Sequence, residues 1–168
     1  GIRTTYLQET VVSSNTSAIS TRHIECPLRK RTTRQLGRGN CIVYENDFYD
    51  DLSGTLERSW LLLEQSIGDP TSPVRTPVLI SVSADGQAQG RTVVLRAFNR
   101  QQRQLKIYTD VRSEKVAQLR AQPVCTLVAY QPNPMIQLRL KTNAVINHKN
   151  KITREAWAVM PGPNRCNY

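Results

Sequence analysis

The chain has 168 residues, which suits one domain or one domain with a tail. Lys and Arg total 23 while Asp and Glu total 13, so the formal net charge at pH 7 is +10. This excess favours an acidic partner such as nucleic acid, whereas the lack of any apolar run of about 18 residues excludes a transmembrane helix. The four cysteines have no metal-ligand spacing, so we predict no metal site, and Cys125 lies in an apolar run typical of a buried thiol.

Residues 1–44 form a basic tail in which neither a helical nor a strand period persists. Seven basic and two acidic side chains give this tail a charge of +5, half of the total. It is rich in Ser and Thr, and this composition is typical of a disordered segment. The same amino-acid composition fits an organelle transit peptide. Because the chain starts at Gly1 and not at a methionine, the segment also fits an artificial or mistranslated upstream sequence. No aromatic residue interleaves the basic cluster at 29–34, which disfavours base stacking with nucleic acid.

Residues 45–168 are patterned and form the predicted domain. Apolar side chains recur at helical spacing from Leu52 to Ile67, after acidic residues that suit a helix N-terminus. Gly68-Asp69-Pro70 ends this helix. A strand is predicted at residues 77–83, with one face formed by Val78, Ile80 and Val82.

The rest of this domain predicts short strands and few helices. Asp85-Gly86 predicts a hairpin turn, because glycine tolerates a positive φ. Further strands are predicted at 91–98, 104–109, 124–130 and 136–140, the last extending towards 146. Helices are predicted at 113–119, with Ser113 as the cap, and at 153–159. This succession favours a mainly β fold, an antiparallel barrel with flanking helices.

Three patches in the domain carry polar groups suited to one ligand. Arg91 and Arg96 lie on one otherwise apolar strand. At residues 108–115 a strand ends in hydroxyls, and a helix begins with a serine and a lysine. Helix amides, hydroxyls and a lysine together can seat a phosphate. Gln137 lies on a later strand, where its amide could pair with a heterocycle edge.

In this order and spacing, the patches resemble the pyridoxamine 5′-phosphate oxidase family, which has the FMN-binding split-barrel fold. The resemblance covers residues 46–168 and is closest to a branch whose substrates are often unassigned. The phrases that carry it are FYDDL at 48–52, RTVVLR at 91–96, YTDVRSEK at 108–115, QLRL at 137–140 and NRCNY at 164–168.

The resemblance implies an FMN site shared across a homodimer interface. The implied cofactor-binding residues are Arg91, Thr92, Val93, Val94, Leu95, Arg96, Tyr108, Thr109, Ser113, Lys115 and Gln137. The first six would line the flavin, with Arg91 and Lys115 reaching its phosphate and Ser113 adding a donor there. Tyr108-Thr109 would contact the ribityl-phosphate region, and Gln137 would hydrogen-bond the isoalloxazine.

The chain departs from the family pattern at the positions that bind phosphate groups. Glu114 stands where the oxidase proper commonly has an arginine, and it opposes phosphate binding unless Arg112 compensates. The oxidase holds its substrate phosphate with a Tyr, an Arg and a Ser, and the matching positions here are roughly Ala156, Met160 and Asn164. The chain also stops at Tyr168, before the family's C-terminal segment, so we expect a domain that is truncated relative to the family.

FMN binding is therefore better supported by the sequence than oxidation of pyridoxamine phosphate. We expect an FMN-dependent oxidoreductase with an unassigned substrate, and no side chain is compelling as a catalytic group. Alternatives are a non-catalytic flavin-binding or flavin-storage protein, and a basic nucleic-acid-binding barrel. The expected location is the cytoplasm, or an organelle if the tail is a transit peptide, with no membrane partner.

Overall fold

The computed structural model of the chain describes residues 51–133 and 135–160, together with the backbone of residues 7–13 and 19–23. Three helices flank an antiparallel sheet in this part of the chain. The strands are β1 (Leu7–Ser13), β2 (Ile19–His23), β3 (Val78–Val82), β4 (Ala88–Thr92), β5 (Leu95–Asn99), β6 (Gln104–Asp110), β7 (Val124–Gln131) and β8 (Ile136–His148). The helices are α1 (Leu52–Gly68), α2 (Glu114–Ala121) and α3 (Lys151–Val159), and a 3₁₀ turn spans Pro73–Arg75.

The sheet is curled, because its two end strands are neighbours in the chain. The strand order is β4-β3-β7-β8-β1-β6-β5, and β2 pairs with β8 off this path. Only Val93 and Val94 separate β4 from β5, and the three Cα–Cα steps from Thr92 to Leu95 reach at most roughly 11 Å. The two ends of the sheet therefore approach each other, although no described ladder closes it. This agrees with the predicted mainly β class and antiparallel split barrel.

The predicted single strand at 91–98 is wrong, since the chain changes sheet neighbours within it. β4 pairs with β3, whereas β5 pairs with β6. At the break the amide of Val93 donates to the carbonyl of Pro77 at 3.0 Å. A second irregularity shifts the register between Leu95 and Ala97. Tertiary pairing sets this break, and local propensity does not. No glycine or proline in the run therefore marks it.

The core lies where α1 packs against the sheet. Leu63 of α1 and Leu95, Leu127 and Leu138 of the sheet are nearly or fully buried. Trp60 stacks on Phe98 with ring centroids 5.8 Å apart. The predicted helix is confirmed, and its first turn is capped as the acidic residues indicated: Asp51 accepts from the amides of Ser53 at 2.9 Å and Gly54 at 2.8 Å.

Burial along β3 shows which of its two faces the protein interior covers. Leu79 and Ser81 are buried, whereas Val78 and Val82 remain 38% and 37% exposed. The predicted face formed by Val78, Ile80 and Val82 is therefore the outer one. The hairpin after β3 is confirmed, with Gly86 at a φ of +81°. Cys125 is buried, as predicted.

Two strands lie within residues 1–44, the segment interpreted from sequence as an unpatterned tail. β1 pairs with both β6 and β8, and β2 pairs with β8. The remaining residues of this segment, and residues 161–168 with Asn164 and the last family phrase, lie outside the described residues. The division into a tail at 1–44 and a domain at 45–168 stays a prediction.

Candidate anion-binding site

A tight turn joins β6 to α2 and presents hydroxyl groups beside the start of the helix. The carboxylate of Asp110 accepts from the amide of Arg112 at 2.8 Å, a local bond that aspartate commonly forms in turns. The amide and the hydroxyl of Ser113 both donate to the carbonyl of Asp110, at 3.1 and 2.7 Å. Ser113 occupies the predicted N-cap position, but its hydroxyl makes no capping bond to α2. The hydroxyl instead fixes the turn.

Lys115 folds back from the first turn of α2 onto the end of β6. Its Nζ donates to Thr109 Oγ1 at 2.9 Å, and Thr109 Oγ1 lies 3.3 Å from Ser113 Oγ. Thr109 is buried, so its hydroxyl holds the ammonium group of Lys115 close to the end of β6. Burial lowers the pKa of Lys115, and the nearby charge of Arg91 lowers it further, while Asp110 opposes both effects.

Arg91 reaches the same region from β4. It lies opposite Leu79 in the β3–β4 ladder, and its guanidinium donates to Ser81 Oγ and, at 2.9 Å, to Gln118 Oε1. The Ser81 hydroxyl donates to the same Gln118 oxygen at 2.6 Å. Burial lowers the pKa of Arg91, and Glu114 acts in the opposite direction through its charge.

Four of the predicted residues thus come together, and we call Arg91, Thr109, Ser113 and Lys115 the cationic cradle. Within the described residues, ion pairs form elsewhere on the surface and none includes Arg91 or Lys115. Two partly buried cations that repel each other and lack a bonded carboxylate are suited to an anion, above all a dianion. The Thr109 and Ser113 hydroxyls lie beside them, and each would donate to an anion only by exchanging its present bond to Ser113 Oγ or to the Asp110 carbonyl. The donor set therefore fits a phosphate monoester.

Glu114 and Arg112 do not form part of this cradle by direct contact. Arg112 is bound by Asp110, with Nε at 3.0 and 3.1 Å from the two carboxylate oxygens and a terminal nitrogen at 2.5 Å. This hydrogen-bonded pair holds the pKa of Asp110 below its ordinary value, and Arg112 remains 79% exposed. Its charge is balanced by Asp110, so Arg112 is poorly placed to compensate Glu114.

The other predicted residues divide between the interior and the surface of the sheet. Val93 and Leu95 are 6% and 0% exposed and belong to the core, so their side chains are packing residues. Thr92 is exposed, while Val94, Arg96 and Tyr108 are half-buried. Gln137 is half-buried on β8, opposite Tyr130 in the β7–β8 ladder. No described hydrogen bond links Gln137 to the cationic cradle.

Ser81 and Gln118 contact a predicted site residue, and the sequence reasoning assigned neither of them a role. Each had a detectable signal. Ser81 is a hydroxyl in the middle of an otherwise apolar strand, and the structure places it at an inward position where a polar group needs a partner. Gln118 follows Lys115 by three residues, so the two share a helix face.

Two of the three positions that match the oxidase's substrate-phosphate residues are apolar. Ala156 within α3 and Met160 at its C-terminal cap are each 5% exposed. In the described part of the chain, no three metal-ligating side chains gather at one place. None of the described helices combines the length and the apolar content that crossing a bilayer requires.

Comparison with solved structures agrees with the fold of this chain. A crystal structure of a pyridoxamine 5′-phosphate oxidase-related, FMN-binding protein from Nostoc punctiforme is similar in fold, with a TM-score of 0.50 and 24% identity. The match covers 61% of this chain and 52% of that protein, so the chain spans about half of its length. A search of curated proteins gives no significant match.

Sequence comparison with protein families is more specific. Residues 57–148, more than half of the chain, match the family described as pyridoxamine 5′-phosphate oxidase, FMN-binding domain. This match includes β3 to β8, α2 and every residue of the cationic cradle. It confirms the predicted family and agrees with FMN as the predicted cofactor. The chain belongs to the family of pyridoxamine 5′-phosphate oxidase FMN-binding domains.

Proposed function

We propose that the cationic cradle binds the 5′-phosphate of FMN. The observation that carries this proposal is the meeting of Arg91 and Lys115, from two different elements, without a bonded carboxylate. A phosphate dianion placed between them would relieve their mutual repulsion and raise both pKa values towards their ordinary range. Thr109 and Ser113 supply hydroxyl groups on the same side.

The flavin ring would then lie along the segment that joins β4 to β5. Thr92, Val94 and Arg96 retain exposed or half-exposed surface there, and Tyr108 is half-buried on β6. Val93 and Leu95 could contact the ring through the backbone, since their side chains are committed to the core. Gln137 remains the proposed partner of the ring's polar edge, on the grounds of the family resemblance.

We propose that the protein is an FMN-dependent oxidoreductase with a small-molecule substrate. Bound FMN supplies electron-transfer chemistry that no side chain of the cationic cradle can supply. The cradle residues would hold the phosphate, and the buried neighbours would keep the flavin in one orientation. The cytoplasm is the proposed location, with an organelle as the alternative offered by the composition of residues 1–44.

The second candidate function is a flavin carrier without catalytic activity. The observation that favours it is the pair Ala156 and Met160, which are buried and apolar where the resemblance implies that the oxidase holds its substrate phosphate. A carrier would bind FMN without accelerating its reduction. Rapid-mixing measurements with candidate electron donors distinguish the two functions, because an enzyme gives saturable flavin reduction and a carrier does not.

We also propose that a second copy of the chain completes the flavin site. The outer face of β3 and β7 exposes large apolar side chains on neighbouring strands: Val78, Val82, Val124 and Tyr130. Exposed apolar patches of this kind commonly form protein interfaces. The homodimer implied by the family resemblance would cover this face.

Fluorescence titration of FMN with the purified protein tests the proposed cofactor site. We expect saturable quenching with one FMN per chain and a weaker response with riboflavin, which lacks the phosphate. The double variant Arg91→Ala/Lys115→Ala should lose about 1.5–3 kcal/mol of binding per charged hydrogen bond, and Arg120→Ala on the exposed side of α2 serves as control. Equal affinities for FMN and riboflavin in the unaltered protein would contradict the proposal.

A further inference from the structure

The side chain of Gln118 bridges three separate elements through one oxygen atom. Its Oε1 accepts from Ser81 Oγ at 2.6 Å and from a terminal nitrogen of Arg91 at 2.9 Å. The other terminal nitrogen of Arg91 donates to Ser81 Oγ. The three side chains therefore close a ring of hydrogen bonds that joins α2, β3 and β4.

Both acceptors in this ring are electrically neutral. A guanidinium is most often fixed by a carboxylate, which also cancels its charge. Here an amide and a hydroxyl orient Arg91, and the full positive charge is kept for a ligand. The charge of the Glu114 carboxylate raises the pKa of Arg91. No described hydrogen bond joins these two side chains.

Ser81 is buried, and this network supplies its hydrogen-bond partners. It is 1% exposed at an inward site of β3, where an apolar residue would pack without cost. Gln118 and Lys115 lie one helical turn apart on α2. The helix that holds Lys115 therefore also fixes the distance between Lys115 and Arg91.

We infer that Gln118 and Ser81 are positioning residues that hold Arg91 in its phosphate-binding orientation while leaving its charge uncompensated. This inference rests on the proposed function of the cationic cradle. Neither residue needs to touch the phosphate, because each acts through Arg91. The preference of the protein for FMN over riboflavin is the property that they control.

The decisive experiment replaces the neutral acceptor with a charged one of the same size. Gln118→Glu preserves the acceptor oxygen beside Arg91 but neutralises the guanidinium, so we expect FMN affinity to fall roughly tenfold or more and riboflavin affinity to change little. Gln118→Leu removes the acceptor and should weaken FMN binding by roughly 2- to 12-fold. Gln122→Glu, which adds the same charge at the exposed end of α2, is the matched control.

Ser81→Ala gives a second test, by removing one corner of the ring without adding charge. We expect a smaller loss of the FMN preference than in Gln118→Glu, with riboflavin binding retained. Thermal denaturation of every variant separates a loss of folding from a loss of orientation. Should Ser81→Ala fail to fold, the half-buried Gln118 variants still decide the question.

The outcomes separate this inference from the proposed function. If the unaltered protein prefers FMN and Arg91→Ala removes that preference, the result supports the proposed phosphate site. If Gln118→Glu then binds FMN as tightly as Gln122→Glu does, the positioning role is overturned. If Arg91→Ala itself leaves the preference intact, the proposed phosphate site fails.

Discussion

Arg91 and Lys115 repel each other across the gap between β4 and α2. Burial lowers the pKa of Lys115, and the charge of Arg91 lowers it further. Each cation is held by neutral groups: Thr109 accepts from Lys115, and Gln118 accepts from Arg91. The protein without a ligand therefore retains an unfavourable interaction that a bound dianion would convert into a favourable one.

This repulsion predicts a dependence of stability on pH. Since the pKa of Lys115 is lower in the folded protein than in the unfolded chain, the unfolded chain binds more protons between the folded value and the ordinary value of about 10.4. Lys115 should therefore contribute a rise in the free energy of unfolding of the apo-protein as the pH increases through that window, while Cys125, whose pKa is raised by burial, contributes a fall. Urea denaturation of the unaltered protein and of Lys115→Met at several alkaline pH values measures the difference.

The control for this prediction is Lys141→Met, which removes an exposed lysine from β8. We expect Lys115→Met to lose the contribution of Lys115 to this pH dependence and Lys141→Met to keep it. Saturating FMN should also reduce the rise, because the bound phosphate favours the charged lysine. A rise of equal size in the unaltered protein and in Lys115→Met would show that other groups cause it.

Thr109→Val should weaken FMN binding by roughly 2- to 12-fold. The change removes the hydroxyl that holds Lys115 and keeps the shape of a buried side chain. Titration with both FMN and riboflavin is the measurement, since only the phosphate-bearing ligand should lose affinity. Equal losses for both ligands would mean that the substitution disturbs the fold around β6.

Leu95→Ala should destabilise the protein by about 2–5 kcal/mol, because the side chain is completely buried in the core. The affinity of the folded protein for FMN should change little, since this side chain belongs to the hydrophobic core and contributes no polar group to the cationic cradle. Chemical denaturation and FMN titration of the same preparation give both quantities. A large loss of affinity with unchanged stability would instead assign the Leu95 side chain to the flavin.

Val78→Lys should weaken the proposed homodimer. Val78 is 38% exposed and lies opposite Val128, in the middle of the outer apolar face of β3 and β7. A buried lysine at a protein interface is unfavourable. Sedimentation velocity over a range of concentrations measures the effect, with Ala84→Lys in the neighbouring turn as control. A monomeric unaltered protein would remove the basis of this prediction.

The sequence predicted the elements of the domain well where local signals are strong. The helix from Leu52 ends at Gly68 as indicated, and Gly86 adopts the positive φ of the predicted turn. The strand break after Thr92 could not be predicted, because Val93 and Val94 favour strand structure and only the two different pairing partners reveal it. Local propensity describes a residue but not its neighbour across the sheet.

The candidate site was predicted in part for a similar reason. Lys115, Thr109 and Ser113 lie close together along the chain, so their meeting follows from one turn. Arg91 joins them through the packing of α2 against β3, which no local pattern gives. Only a three-dimensional arrangement links Ser81 with Gln118.

The strands are synthesised in an order that differs from their order in the sheet. β1 is the earliest described strand to leave the ribosome, yet it pairs with β6 at residues 104–110 and with β8 at residues 143–148. One edge of β1 must wait for residues 104–110 and the other for residues 143–148, and unpaired strand edges attract other chains. Translation in the presence of chaperones should therefore matter more for the yield of this protein than for one whose strands pair with their neighbours in sequence.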